Sequence, residues 1–274
     1  MRKVKIGQII LHIVIWALLF TMLYPLGMTI WNSFKSDLMF EYTRWYPTLP
    51  LRLRNYITVW PNIYRYILNT ILVASLGTIG MLFISSLSAF TFARMRFLGR
   101  EVLFMAVIIV MMIPGVLTLV PSYMLYKSFG LLNSYLVLII PIIVGGPVFG
   151  TFLLRAFFQA IPEDIFDAAK IDGCTDFQLY YKVGLPLCMP ILGTLTIMQV
   201  MGTWNDYIWP MITIQNEKFL TISAGLILQF TKVYSNAYTL SFAGYMLASL
   251  PLIFLFIFAN RYYIQGLTTS ALKL

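Results

Sequence analysis

Five of the chain's ten acids, Glu163, Asp164, Asp167, Asp172 and Asp176, fall between residues 163 and 176. Carboxylates this close could serve acid–base or metal chemistry, but the partners are missing. The one histidine, His12, stands in an apolar run near the start, so no nucleophile–base pair can be built on it. It reads as a packed or lipid-interface residue. Cys174 and Cys188 are too few for a disulfide framework and read as structural thiols. No His/Cys/Asp cluster has metal-ligand spacing, and no G-x-x-x-x-G-K-S/T run would cradle a phosphate. The acids therefore mark a polar segment flanked by apolar spans. Such a segment cannot sit in hydrocarbon and must lie in water.

The segment has its own local order. Its sequence from Ile161 to Pro190 is IPEDIFDAAKIDGCTDFQLYYKVGLPLCMP. Pro162 suits a first helical turn, where its missing N–H has no partner to lose. Glu163 and Asp164 follow at the end where the helix dipole favours negative charge. Phe166, Ala169 and Lys170 share one side. Gly173 is a helix stop, because glycine enters the left-handed region without steric cost. Thr175 and Gln178 have capping-box spacing and open a second helix, with Phe177, Tyr180 and Tyr181 as its apolar flank. Gly184, Pro186 and Pro190 lead into the next span. The prediction is two short helices meeting at an angle beside a membrane surface.

The rest of the chain supplies the membrane. Its 274 residues are 60% hydrophobic and 11% charged, with a mean hydropathy of +0.83. A soluble domain averages about 25% charged residues. The expected architecture is an all-α membrane protein of six spans, near 9–30, 66–92, 102–126, 135–158, 187–208 and 242–258. No cleavage site follows the first apolar run, so it reads as a retained span. The net charge of +9 fits anchoring at anionic lipid better than nucleic acid. Residues 31–64, with prolines and aromatics, read as a loop lying at the interface. Residues 215–239 read as a second connector, part of it apolar enough to dip inward. The second span is rich in small residues and belongs in the bundle interior. Prolines interrupt the third and fourth spans, and neighbours must re-satisfy the freed backbone groups. The span middles are almost bare of charge, which argues against a proton- or ion-driven carrier acting alone.

The run D-A-A-K-I-D-G from Asp167 to Gly173, followed by Leu185-Pro186-Leu187 and Pro190, resembles the EAA loop of ABC-importer permeases. The resemblance implies a MetI-like fold, with a cytoplasmic coupling-helix loop, 161–186, between the fourth and fifth spans. It implies that this loop docks into a groove on a separate ATPase. Asp167 would then pair with a basic residue of that ATPase, and Ala168 and Ala169 would let the helix seat closely. Asp172 and Gly173 would set the turn, while Phe177 and Tyr180 would fill apolar contacts. Asp167 stands where the family usually has glutamate; the charge is kept and the reach is one methylene shorter.

The run from Asn69 to Arg100, the cluster Trp204-Asn205-Asp206-Tyr207 and the tail G-L-T-T-S-A-L-K resemble the MalG-like carbohydrate-importer branch. This implies one permease domain over 1–274, with its family-like core at about 69–263. The implied partners are a second, MalF-like permease, two ABC ATPases that hold the ATP and magnesium, and an extracytoplasmic solute-binding protein, in a lipid bilayer. No cofactor is expected in this chain, which would be a transporter subunit and not an enzyme. Trp204, Asn205, Asp206 and Tyr207 are candidates for the solute path, with an interfacial cap as the other reading of Asp206. The implied cargo is an oligosaccharide; a sugar phosphate, a polyol or a self-contained carrier are the alternatives. The implied setting is a bacterial cell membrane with both termini cytoplasmic. Charge alone decides that orientation poorly, since it places eleven of the nineteen Lys/Arg inside and eight outside.

Overall fold

The structure, a computed structural model, describes residues 6–234 and 237–271. Among these there is no strand. The helices run α1 (Ile6–Ser33), α2 (Asp37–Thr43), α3 (Arg54–Arg94), α4 (Arg100–Met111), α5 (Gly115–Ser128), α6 (Leu136–Ala160) and α7 (Glu163–Ile171). There follow α8 (Asp176–Leu187), α9 (Met189–Asn205), α10 (Ile208–Thr213), α11 (Ile222–Leu228) and α12 (Tyr238–Ala271). Four of them, in α1, α3, α6 and α12, are long and apolar enough to cross a membrane. The number becomes six if the bent pairs α4–α5 and α8–α9 each count as one span. The basic cluster Arg2-Lys3-Lys5 and the tail's Lys273 lie outside the described residues.

The chain divides into two compact units. One holds the residues up to Arg65 together with Gly225–Leu250; the other holds Tyr66–Ala224 together with the residues from Pro251 onward.

In the first unit α1 is apolar, and none of its most hydrophobic window is covered by the chain itself. The stretch expected to be an interfacial loop is folded instead. Lys35 is buried, and its ammonium donates to the carbonyls of Thr43 at 2.5 Å and Tyr46 at 2.6 Å. Asn55 donates from its amide to the carbonyls of Ser33 and Lys35, both at 2.8 Å. Asp37 accepts from the backbone and hydroxyl of Thr239. Lys35 and Asn55 are thus engaged by backbone carbonyls and Asp37 by the two donors of Thr239. With Asn55 held in this way, α3 starts at Arg54, twelve residues before the expected span, and Pro61 costs it a backbone bond without ending it.

In the second unit small residues set the packing of α3 against α6. Gly77 and Gly80 of α3 face Ile142 and Ile143, and Gly146 and Gly150 of α6 face Met81 and Ser85. A methyl group at Gly146 would come within 2.6 Å of Met81 Cγ, and one at Gly150 would overlap Ser85. Without a hydrophobic drive between helices in lipid, this close approach is what supplies contact.

Prolines act differently in the two spans where they were expected to break helices. Pro114 separates α4 from α5, which bend by 95°, because the residue before a proline is pushed out of the helical region. Helix α6 by contrast is continuous through Pro141 and Pro147, so the interruption expected there is absent. Pro141 has no N–H to give the Val137 carbonyl one turn back. The indole Nε1 of Trp209 donates to that carbonyl at 2.8 Å, and Val137 is fully buried. Trp209 in turn lies edge-on to Tyr126, 5.7 Å between centroids.

Trp209→Phe should therefore strand a buried carbonyl and lower the thermal midpoint of the purified protein, by a free energy of about 1–3 kcal/mol. Pro141→Ala returns a backbone donor and should recover part of that loss. An equal loss in both backgrounds would argue against the pairing.

Candidate functional site

The acidic elbow is built from local backbone chemistry and one distant arginine. Helix α7 begins after Pro162, with Glu163 and Asp164 in its first turn. It ends in a Schellman motif: the Cys174 N–H reaches the Ala169 carbonyl at 3.0 Å, and the Gly173 N–H reaches Lys170 at 2.9 Å. That motif needs a left-handed residue, and Gly173 has φ +82°. Thr175 then caps α8 with both halves of the capping box formed. Helix α8 includes a π-helical turn over Leu179–Gly184 and bends 74° into α9.

Arg94, at the end of α3, fixes the elbow to the bundle. Its guanidinium donates to the Phe158 carbonyl from Nε at 3.1 Å and from Nη2 at 2.5 Å, and to the Ile161 carbonyl from Nη2. These acceptors lie at the C-terminus of α6, where a cation is favoured; the Phe158 carbonyl also takes a long bond from the Ile161 N–H. The same guanidinium lies 4.3 Å from the centre of the Phe166 ring. Phe166 is 2% exposed and joins Phe90, Phe158, Leu179 and Tyr180 in one core cluster. Tyr180, expected against a partner, faces inward: it is 6% exposed, and its hydroxyl bonds to Ser86 Oγ at 2.8 Å.

What the elbow leaves outside is mixed. Asp167, Ala168, Asp172 and Gly173 are exposed, and Ala169 is half-buried. Asp167 holds Lys170 at 3.2 Å in an exposed pair. Such pairs are worth little in water, so the carboxylate is free to exchange partners. Ile171 is 86% exposed and Phe177 65%. Two apolar side chains beside five exposed carboxylates are unusual for a solvated helix, and they make a surface fit for a protein with basic and apolar features. Sequence reading missed Ile171, although its place among acids was visible. It missed Arg94 because nothing local marks a contact made across 64 residues.

The four solute-path candidates are not brought together. Trp204 is buried, and Asn205 folds back on the Met201 carbonyl at 2.8 Å. Tyr207 is partly exposed and away from any cavity wall described. Asp206 alone lines a cavity of about 270 Å³, with Gln199, Thr203, Trp209 and Thr221 among its other walls. Its Oδ1 accepts from the Trp209 N–H at 3.3 Å. Gln199 and Thr203, four residues apart in an otherwise apolar helix, were a readable sign of a polar spot in a span. Among the described residues no group of three His, Cys, Asp or Glu side chains could hold a metal ion.

Comparison with known proteins gives the family and the fold. Residues 81–269 match the family described as binding-protein-dependent transport system inner membrane component. The probable ABC transporter permease protein YurM of Bacillus subtilis is 30% identical over 279 residues, covering 99% of this chain and 91% of that protein. The arabinooligosaccharides transport system permease protein AraQ of the same organism is 32% identical over 210 residues, 77% of this chain and 74% of that protein. A solved chain of a bacterial ABC transporter involved in the import of the acidic polysaccharide alginate superposes with a TM-score of 0.79 at 22% identity, covering 96% of this chain and all of that one. That likeness is one of fold.

If Arg94 is what ties the elbow down, Arg94→Ala should free it. Each bond from a charged donor is worth about 1.5–3 kcal/mol. Amide exchange over residues 163–171 should therefore quicken by roughly tenfold or more, with Arg94→Lys intermediate because it lacks the fork. Exchange unchanged in Arg94→Ala would count against this anchor.

Proposed function

The chain belongs to the family of binding-protein-dependent transport system inner membrane components, and on that footing we propose that it is one of two permease subunits of an ATP-driven importer of oligosaccharides. The carrying observation is the elbow: five exposed carboxylates with Ile171 and Phe177, on two short helices pinned to α3 and α6 by Arg94. The names of relatives such as AraQ support the sugar class.

In this reading α7 is the coupling helix and lies in the cytoplasm. Each bent pair counts as one span, giving six, so both termini lie on the cytoplasmic side. Asp167 leaves Lys170 for a basic residue of the ATPase, and Ala168 permits close seating. Ile171 and Phe177 supply the apolar contact, the part expected of Tyr180. Asp172 and Gly173 hold the turn. ATP and magnesium belong to the ATPase partners. A second permease and lipid cover the apolar surface of α1, and a solute-binding protein delivers cargo from outside.

Mechanically, a push on α7 is passed to two places at once. Phe166 carries it into the core, and Arg94 carries it to the ends of α3 and α6. Two arrangements of the bundle that differ by only a few kcal/mol can then be biased by ATP on one side and by the loaded binding protein on the other.

Gly173→Val tests this reading. A β-branched residue at φ +82° costs about 1–2 kcal/mol or more, enough to undo the Schellman turn without touching any span. The variant should insert normally but lose sugar uptake and the ATP hydrolysis stimulated by the binding protein. Full uptake by Gly173→Val would sink the assignment.

A further inference from the structure

The cavity beside Asp206 has features that packing alone does not require. Its volume of about 270 Å³ is near the lower end of ligand pockets, which start at roughly 300 Å³. It has room for one sugar ring. Its walls mix apolar faces, among them Trp209 and Pro141, with the polar side chains of Gln199, Thr203, Asp206 and Thr221. The Thr221 hydroxyl is the telling group. Thr221 is 1% exposed, lines the cavity, and its hydroxyl has no hydrogen-bond partner. Buried hydroxyls are rarely left unmatched, because each such loss costs about 1–3 kcal/mol.

The neighbouring groups are also only partly used. Asp206 accepts from the backbone N–H groups of Trp209, at 3.3 Å, and Ile208, and a carboxylate has about four acceptor sites. Gln199 gives one amide hydrogen to Thr203 Oγ1 at 3.2 Å, which leaves its second hydrogen. The Trp209 ring is held still by its bond to Val137, so its face is preorganised. No lysine or arginine lines the cavity. The one charged wall is a carboxylate, which accepts hydroxyl donors and repels anions.

We propose that this cavity is a solute subsite for one unit of a neutral sugar, with Asp206, Gln199 and Thr221 binding its hydroxyls and Trp209 its C–H face. The proposal rests on the importer reading above and narrows it: uronates and sugar phosphates are turned away here.

Thr221→Val is the sharpest variant. It keeps the shape and removes only an unpartnered hydroxyl, so a purely structural role predicts unchanged or higher stability with unchanged transport. The experiment uses the assembled importer with its binding protein in proteoliposomes. The probes are labelled arabinotriose and galacturonate trimer. The expected result for arabinotriose is a maximal uptake rate about fivefold lower or more in Thr221→Val, with no loss in thermal midpoint. A larger drop is expected in Asp206→Ala, and none in Asn205→Ala. Wild-type uptake of the galacturonate trimer should be negligible. Unchanged arabinotriose uptake in both Thr221→Val and Asp206→Ala overturns the subsite and leaves the importer reading standing. Wild-type uptake of the uronate trimer alone does the same. Uptake of neither probe by the wild type overturns both.

Discussion

One guanidinium holds the acidic elbow to the helices that carry it. Helix α6 ends where the chain leaves the apolar region, and its last carbonyls lack full helical partners. Arg94 donates to those of Phe158 and Ile161 and lies against Phe166. Those contacts join the end of α3 to two elements more than sixty residues on, the end of α6 and the first helix of the elbow. A water-exposed helix as short as α7 has little stability of its own. Its shape therefore depends on Arg94 and on the aromatic cluster beneath it, Phe90, Phe158, Phe166 and Tyr180. The same attachment makes it a lever instead of a free loop.

A related constraint runs through the spans. In hydrocarbon no backbone group can be left to water, so every proline sets a debt that some neighbour must settle. At Pro141 the neighbour is Trp209, which meets the Val137 carbonyl and thereby fixes an aromatic face on the cavity wall. At Pro114 no such repair keeps the helix whole, and the chain turns by 95°. The two outcomes come from the same residue type in neighbouring spans.

Much of the elbow was legible in the sequence because its chemistry is local. Gly173, Thr175 and Gln178 act on groups within a few residues, and the helix stop and capping box stand where the spacing puts them. The small residues of α3 were legible for a similar reason, since they have few uses other than close approach. Non-local pairings were not legible. Nothing near Arg94 announces Phe158, and nothing near Trp209 announces Val137. Residues 31–64 misled because polarity reads as exposure, whereas Lys35 and Asn55 are buried on carbonyls. Of the W-N-D-Y cluster only Asp206 meets the cavity. Asp206 stands in the extended link between α9 and α10, and its sequence neighbours are turned away from the cavity lining.

The central claim is that the elbow is the face through which a separate ATPase works on this chain. The most direct measurement is thiol cross-linking at Ile171, the most exposed apolar side chain of the elbow. Ile171→Cys would be made in a Cys174→Ser background, and the assembled importer treated with a short bifunctional maleimide. The account predicts an adduct between this chain and a P-loop ATPase polypeptide, with the introduced thiol shielded from impermeant reagents added outside intact cells. Ready labelling from outside, or an assembled complex in which no ATPase adduct forms, would contradict it.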